Sequence, residues 1–307
     1  FNMFRLNDGV YALPQTSSFP MLFYRADILK ELGLDVPRTW DEFYQCLAVI
    51  QKNNMNIGIS PDYSSYGMCL YQHGGSYYAP DGKSSGLDTE AAVQAFTQWT
   101  SNYVDYRMPV TYDFANRFRT GEMPLAIADY TQYSYLSVFA PEIKGLWSFH
   151  PMPGSLQEDG TIDNTFVVDT TQSVIMSATS KVEESWEFLK WWSSTETQLE
   201  FANSLEALMG TSARYAAADP EVLKQLPWSN TELESLLGQF ENTTGIPAVP
   251  GNYMTTRMVQ YAFNDVVAEH ANPRETLYLN IKDINEELMR KRRELHLTTL
   301  DSSEGRQ

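Results

Sequence analysis

Basic residues are scarce in this chain. Lysine and arginine number 22 against 39 aspartates and glutamates in 307 residues, a formal net charge of −17. A field of that sign repels phosphate backbones and anionic lipid surfaces, so no nucleic acid is expected as a partner. Cysteine is nearly absent, with only Cys46 and Cys69. Cys46 falls on the apolar face of a predicted helix and Cys69 in a Met-Cys-Leu run. Both are expected as buried free thiols in preference to a disulfide. The four histidines, His73, His150, His270 and His296, are scattered without metal-ligand spacing, so no metal and no cofactor is expected. No apolar run approaches the roughly 18 residues of a membrane span. The opening Phe1-Asn2-Met3-Phe4-Arg5 lacks the basic-plus-apolar pattern of a leader and reads as the interior of a mature protein.

What is present is ordinary globular material, 43% hydrophobic and 20% charged. Short strand-like runs alternate with helix-length segments, the α/β pattern. Strands are predicted at Val10–Leu13, Met21–Tyr24, Asn56–Ser60, Leu125–Ala128, Trp147–Met152 and Ser173–Met176, with a polar run at Gln15–Ser18. A helix over Ala26–Leu32 stops at Gly33. Thr39 with Glu42, and Ser180 with Glu183, have capping-box spacing. Asp88 is predicted to cap a helix whose face is Val93, Phe96, Thr100 and Tyr103. Asn272, Pro273 and Glu275 start a last helix with the face Leu277, Ile281, Ile284 and Leu288. The helix Val182–Trp192 carries Trp186, Trp191 and Trp192, expected as core.

Catalytic patterns are poor. Gly82-Lys83-Ser84-Ser85-Gly86 matches G-x-S-x-G, but Ala79-Pro80-Asp81 precedes it where a nucleophile elbow needs a strand. The same residues hold Gly-Lys-Ser, yet Tyr77 stands at the first P-loop glycine. Carboxylates abound and none is singled out, so a glycan-active enzyme with a carboxylate pair stays as an alternative.

Taken together, GVYALPQTSSFPMLFYRADILKELGLDVPRTWDEF (9–43), FRTGEMPLAIA (118–128), WSFHPMPG (147–154), SKVEESWEFLKWWSS (180–194) and NPRETLYLNIKDINEELMRKRREL (272–295) form an ordered set. In that order they resemble the carbohydrate-binding extracytoplasmic solute-binding proteins of ABC importers, the family that includes maltose-binding protein. The resemblance implies a periplasmic-binding-protein-like type II α/β fold of two lobes joined by crossovers. Residues 1–20 and 166–204 would be a remnant of lobe one, 21–165 and 205–297 lobe two, and 298–307 a C-terminal tail. Lobe one lacks the family's leading βα units and is expected to be truncated, with targeting signals upstream. Ile246–Arg257 departs from maltose-binding protein.

The implied function is non-catalytic capture of a mono- or oligosaccharide and its delivery to the membrane subunits of an ABC importer. The implied location is the outer face of the cytoplasmic membrane, lipid-anchored, or the periplasm. A sensor or adhesion module of a larger surface protein is the other alternative. Sugar sites combine flat aromatics with carboxylates, amides and arginine. The expected ligand contacts are Gln15, Thr16 and Ser18 at the crossover, Tyr63 and Tyr66 after the Asn56–Ser60 strand, Asp129 and Tyr130 after Leu125–Ala128, and Tyr253 and Arg257 in the VPGNYMTTR loop. Lobe one's uncovered apolar face is expected to be shielded by lobe two or by self-association.

Overall fold

Strand Pro20–Arg25 organises the first part of the fold. Met21, Leu22 and Phe23 are wholly buried, the pattern of a strand covered on both faces. It lies inside a four-stranded sheet of order Ile57–Gly58, Leu125–Asp129, Pro20–Arg25, Trp147–His150. The first pair is parallel and the others antiparallel, with Phe23 opposite Ala126 on one side and Phe149 on the other. The computed structural model describes residues 4–6 and 9–297; the tail expected over 298–307 lies outside them.

Local signals set the elements that follow. Helix Ala26–Leu32 ends at Gly33, whose φ of 67° is left-handed and suits glycine. The capping box closes at Trp40–Lys52, where the Thr39 side chain accepts from Glu42 N and the Glu42 carboxylate accepts from Thr39 N. Arg25, buried at the strand end, donates to Asp27 at 2.9 and 2.7 Å. It also donates to the carbonyls of Phe118 and Arg119, which ties the sheet to helix Phe114–Thr120.

The chain forms two compact units, Phe1–Ser60 with Pro109–Gly245, and Pro61–Met108 with Ile246–Gln307. The first holds the four-stranded sheet and a separate two-stranded one, in which Leu13–Ser18 pairs antiparallel with Asp169–Ser173. The second packs helices Tyr63–Gln72, Glu90–Val104, Asn252–Glu269 and Pro273–Glu294. Trp99 is its buried centre, 4.3 Å from the Phe263 ring and 5.5 Å from that of Tyr66. The predicted faces of the second and fourth of these helices are buried throughout. Both cysteines are buried and free, and burial pushes the Cys69 thiol up to about 12.

Several expectations need correction. The polar run Gln15–Ser18, read as following a strand that ends at Leu13, is itself strand, because its backbone pairs with 169–173. Strand Asp169–Ser173 ends at the first residue of the predicted Ser173–Met176 run, and Val174 and Met176 are exposed. Thr89, one residue after Asp88, caps Glu90–Val104 by accepting from Ala92 N. The Ser180 capping box does not form. Lys181 takes the cap position, and its N–H donates to Thr179 Oγ1 instead. Trp186 and Trp191 are 42% and 56% exposed, so that helix face is uncovered where core was expected. Among the described residues no helix is long and apolar enough to cross a membrane.

Candidate functional site

The second unit presents one face on which exposed aromatic rings flank a guanidinium. Helix Asn252–Glu269 begins after Gly251, at φ 92°. A Cβ there would stand 3.2 Å from the Glu287 carbonyl, so glycine lets the helix start directly against Pro273–Glu294. Tyr253, Arg257 and Tyr261 follow at intervals of four and so share one helix face. Tyr253 and Tyr261 are 49% and 47% exposed, and Arg257 is exposed between them. Arg257 Nε donates to the Tyr261 hydroxyl at 3.2 Å, with Cζ 5.7 Å from the ring centre. The sequence placed Tyr253 and Arg257 on a loop; they are helical.

Tyr253 is anchored at its far end. Its hydroxyl donates to Glu287 Oε1, and Glu287 also accepts from Arg290 Nε at 2.7 Å and Nη2 at 2.6 Å. The Arg290 hydrogen bonds, then that of Tyr253, hold the Glu287 carboxyl at about 2. The folded state therefore favours the carboxylate. Its stabilisation is full above the ordinary glutamate value of about 4.3 and fades as pH falls through that value towards 2. Melting of the wild type and of Glu287→Gln between pH 2 and 7 tests this. The wild-type advantage is expected to be largest above pH 4.5 and to vanish near pH 2; a constant difference contradicts it.

Behind this face lies a layer of tyrosines. Tyr78 hydroxyl donates to Thr255 Oγ1 at 3.1 Å, Tyr77 hydroxyl donates to the Tyr63 carbonyl at 2.8 Å, and the Tyr63 and Tyr77 rings are 4.6 Å apart. Tyr63 opens helix Tyr63–Gln72 and its hydroxyl is buried beside the Thr256 side chain. Tyr66 is not ligand-facing. It is fully buried among Tyr77, Phe96 and Trp99, one turn along that helix.

In the first unit the structure brings the crossover strand and the Asp129–Tyr130 pair together. Pro20 registers with Asp129, and Tyr130 N donates to the Phe19 carbonyl. Tyr130 itself is a correction. It is 2% exposed, stacked 4.8 Å from Phe19, with its hydroxyl donating to the Ser17 carbonyl. Asp129 accepts from the Thr131 N–H and hydroxyl in a turn. Gln15 accepts at its carbonyl from Tyr215 and at Oε1 from Ser173, and Thr16 meets Thr171 through their hydroxyls. Ser18 registers with Asp169.

Sequence reasoning missed a cluster near Tyr130. The Arg214 guanidinium lies 4.6 Å from the Trp228 ring centre and 5.4 Å from that of Tyr133, and it forks onto Glu206 at 3.1 and 2.8 Å. Its Nη1 and the Trp228 Nε1 are buried without partners. No spacing rule links residues 133, 214 and 228. The four-residue interval from Arg257 to Tyr261 was readable and was overlooked.

Comparison with known proteins bears on these geometries. A family model described as bacterial extracellular solute-binding protein matches residues 1–199, well over half of the chain. Among curated proteins, a multiple sugar-binding protein of Streptococcus mutans is 40% identical over 50 residues, which span 16% of this chain and 12% of that protein. Among solved structures, the sugar-binding protein MalE of Xanthomonas citri superposes with a TM-score of 0.77 at 17% identity, covering 97% of this chain and 75% of that one. An ABC transporter solute-binding protein of Thermotoga lettingae, bound with alpha-D-tagatose, gives 0.73 at 19% identity, over 93% and 74%. At such identities the structural matches establish the fold, that of type II periplasmic sugar-binding proteins.

Proposed function

Because the chain belongs to the bacterial extracellular solute-binding proteins, we propose that it captures a mono- or oligosaccharide without chemical turnover and delivers it to the membrane subunits of an ABC importer. The observation that carries this reading is the exposed Tyr253–Arg257–Tyr261 face. It joins two half-exposed rings to a guanidinium whose Nη groups make no ion pair with any described residue. Rings cover the apolar faces of a pyranose, and the guanidinium donates to its hydroxyls. Tyr63, Asp129, Gln15, Thr16 and Ser18 are proposed as further contacts, the last three through the strand that pairs with Asp169–Ser173.

The division into a lobe of 1–20 and 166–204 and a lobe of 21–165 and 205–297 belongs to the same reading. Its support is that Leu13–Ser18 pairs with Asp169–Ser173 in a sheet separate from the four-stranded one. Self-association through the exposed face of Val182–Trp192, and a place either lipid-anchored on the outer face of the cytoplasmic membrane or in the periplasm, are also part of it.

The reading is tested by incubating the protein, produced from its complete gene, with maltotetraose and a panel of neutral oligosaccharides. One sugar is expected to bind saturably and to be recovered unchanged by chromatography. Steady release of shorter products would overturn the non-catalytic assignment.

A further inference from the structure

The hydroxyl of a surface tyrosine ordinarily faces water, and ordering the ring on ligand binding lowers affinity. Tyr253 departs from this. Its hydroxyl is bonded to Glu287, and the anchor is itself fixed: the Glu287 side chain is only 10% exposed and its carboxylate is forked by Arg290. Arg290 Nη1 reaches on to Glu294 at 3.3 Å. The backbone is registered at the same place, since the Cα of Gly251 packs where a Cβ would meet the Glu287 carbonyl at 3.2 Å and Leu288 Cα at 3.3 Å. The first turn of Asn252–Glu269 is therefore attached to one point of the last helix through both main chain and side chain. With its hydroxyl engaged, Tyr253 offers a ligand only its ring.

We propose that Glu287 is a positioning residue for ligand capture, fixing the Tyr253 ring so that ring face and Arg257 guanidinium meet the ligand in one preset geometry. The inference rests on the reading that Tyr253 and Arg257 contact the ligand. Glu287 touches no ligand itself and acts through Tyr253.

The test is calorimetric titration of the protein, produced from its complete gene, with maltose, maltotetraose, raffinose and tagatose, alongside melting of each variant. Glu287→Ala is expected to weaken the best-bound sugar about tenfold. Glu287→Gln, which keeps an acceptor oxygen at the same reach, is expected to stay within about twofold of wild type. Tyr253→Phe should weaken binding as Glu287→Ala does, with no further loss when the two are combined. If Glu287→Ala lowers the melting temperature but leaves affinity unchanged while Tyr253→Ala abolishes binding, the positioning role is wrong and the ligand contact stands. If Tyr253→Ala binds like wild type, or no sugar of the panel binds, the ligand reading fails and the inference with it.

Discussion

Replacing Phe23 by alanine is expected to destabilise the first unit by about 3–5 kcal/mol, the range for removing a fully buried aromatic ring. Phe23 has no exposed surface and lies at the centre of an aromatic cage. Its ring centre is 5.6 Å from Phe114, 6.3 Å from Phe118, 5.9 Å from Trp147 and 5.7 Å from Phe149. Those partners come from two other elements of the unit, a helix and an edge strand. The cavity is therefore walled by separate segments that cannot close on it together. Urea unfolding followed by tryptophan fluorescence measures the loss, and Phe23→Leu should cost distinctly less. A loss below about 1 kcal/mol for the alanine variant would mean that this strand is not the centre of the core.

Arg214→Met is expected to cost about 3–5 kcal/mol, because it leaves a largely buried carboxylate without its partner. The Arg214 and Glu206 side chains are 7% and 18% exposed, and they share two hydrogen bonds. The flat guanidinium also covers the Trp228 ring, a contact that methionine cannot reproduce in shape or charge. Adding Glu206→Gln removes the stranded charge and should recover part of the loss. If the single and double variants are equally stable, the ion pair contributes nothing.

Much of the architecture was legible because its signals are local. Gly33 ended the first helix, Thr39 with Glu42 began the second, and Asn272 with Glu275 began the last, since each cap needs only residues within one turn. The strand at Met21–Phe23 was readable from an unbroken apolar run. Errors fell where a non-local partner decided the outcome. Gln15–Ser18 reads only as a polar run until 169–173 pairs with it; the Ser180 cap is the exception, lost to its own neighbour Lys181. The exposed tryptophans of Val182–Trp192 have core spacing, and spacing does not say whether anything covers the face.

The candidate site shows the same limit more sharply. Tyr66 and Tyr130 stood at plausible positions after strands, yet both complete cores that draw on distant residues, Phe96 and Trp99 for the first and Phe19 and Trp228 for the second. Tyr253 and Arg257 were chosen for their residue types and placed on a loop; they lie on helix Asn252–Glu269. Glu287, 34 residues further on, shows no sequence sign that it holds Tyr253. Proximity of that kind is made by two long helices packing together, and no motif encodes it.

Calorimetric titration of the protein produced from its complete gene, as wild type and as Arg257→Ala, tests sugar capture most directly. The predicted result is saturable one-to-one binding of a neutral sugar by the wild type, at about micromolar affinity or tighter, weakened at least about tenfold in the variant. Equal affinity in both proteins, or conversion of the sugar during the titration, would contradict it.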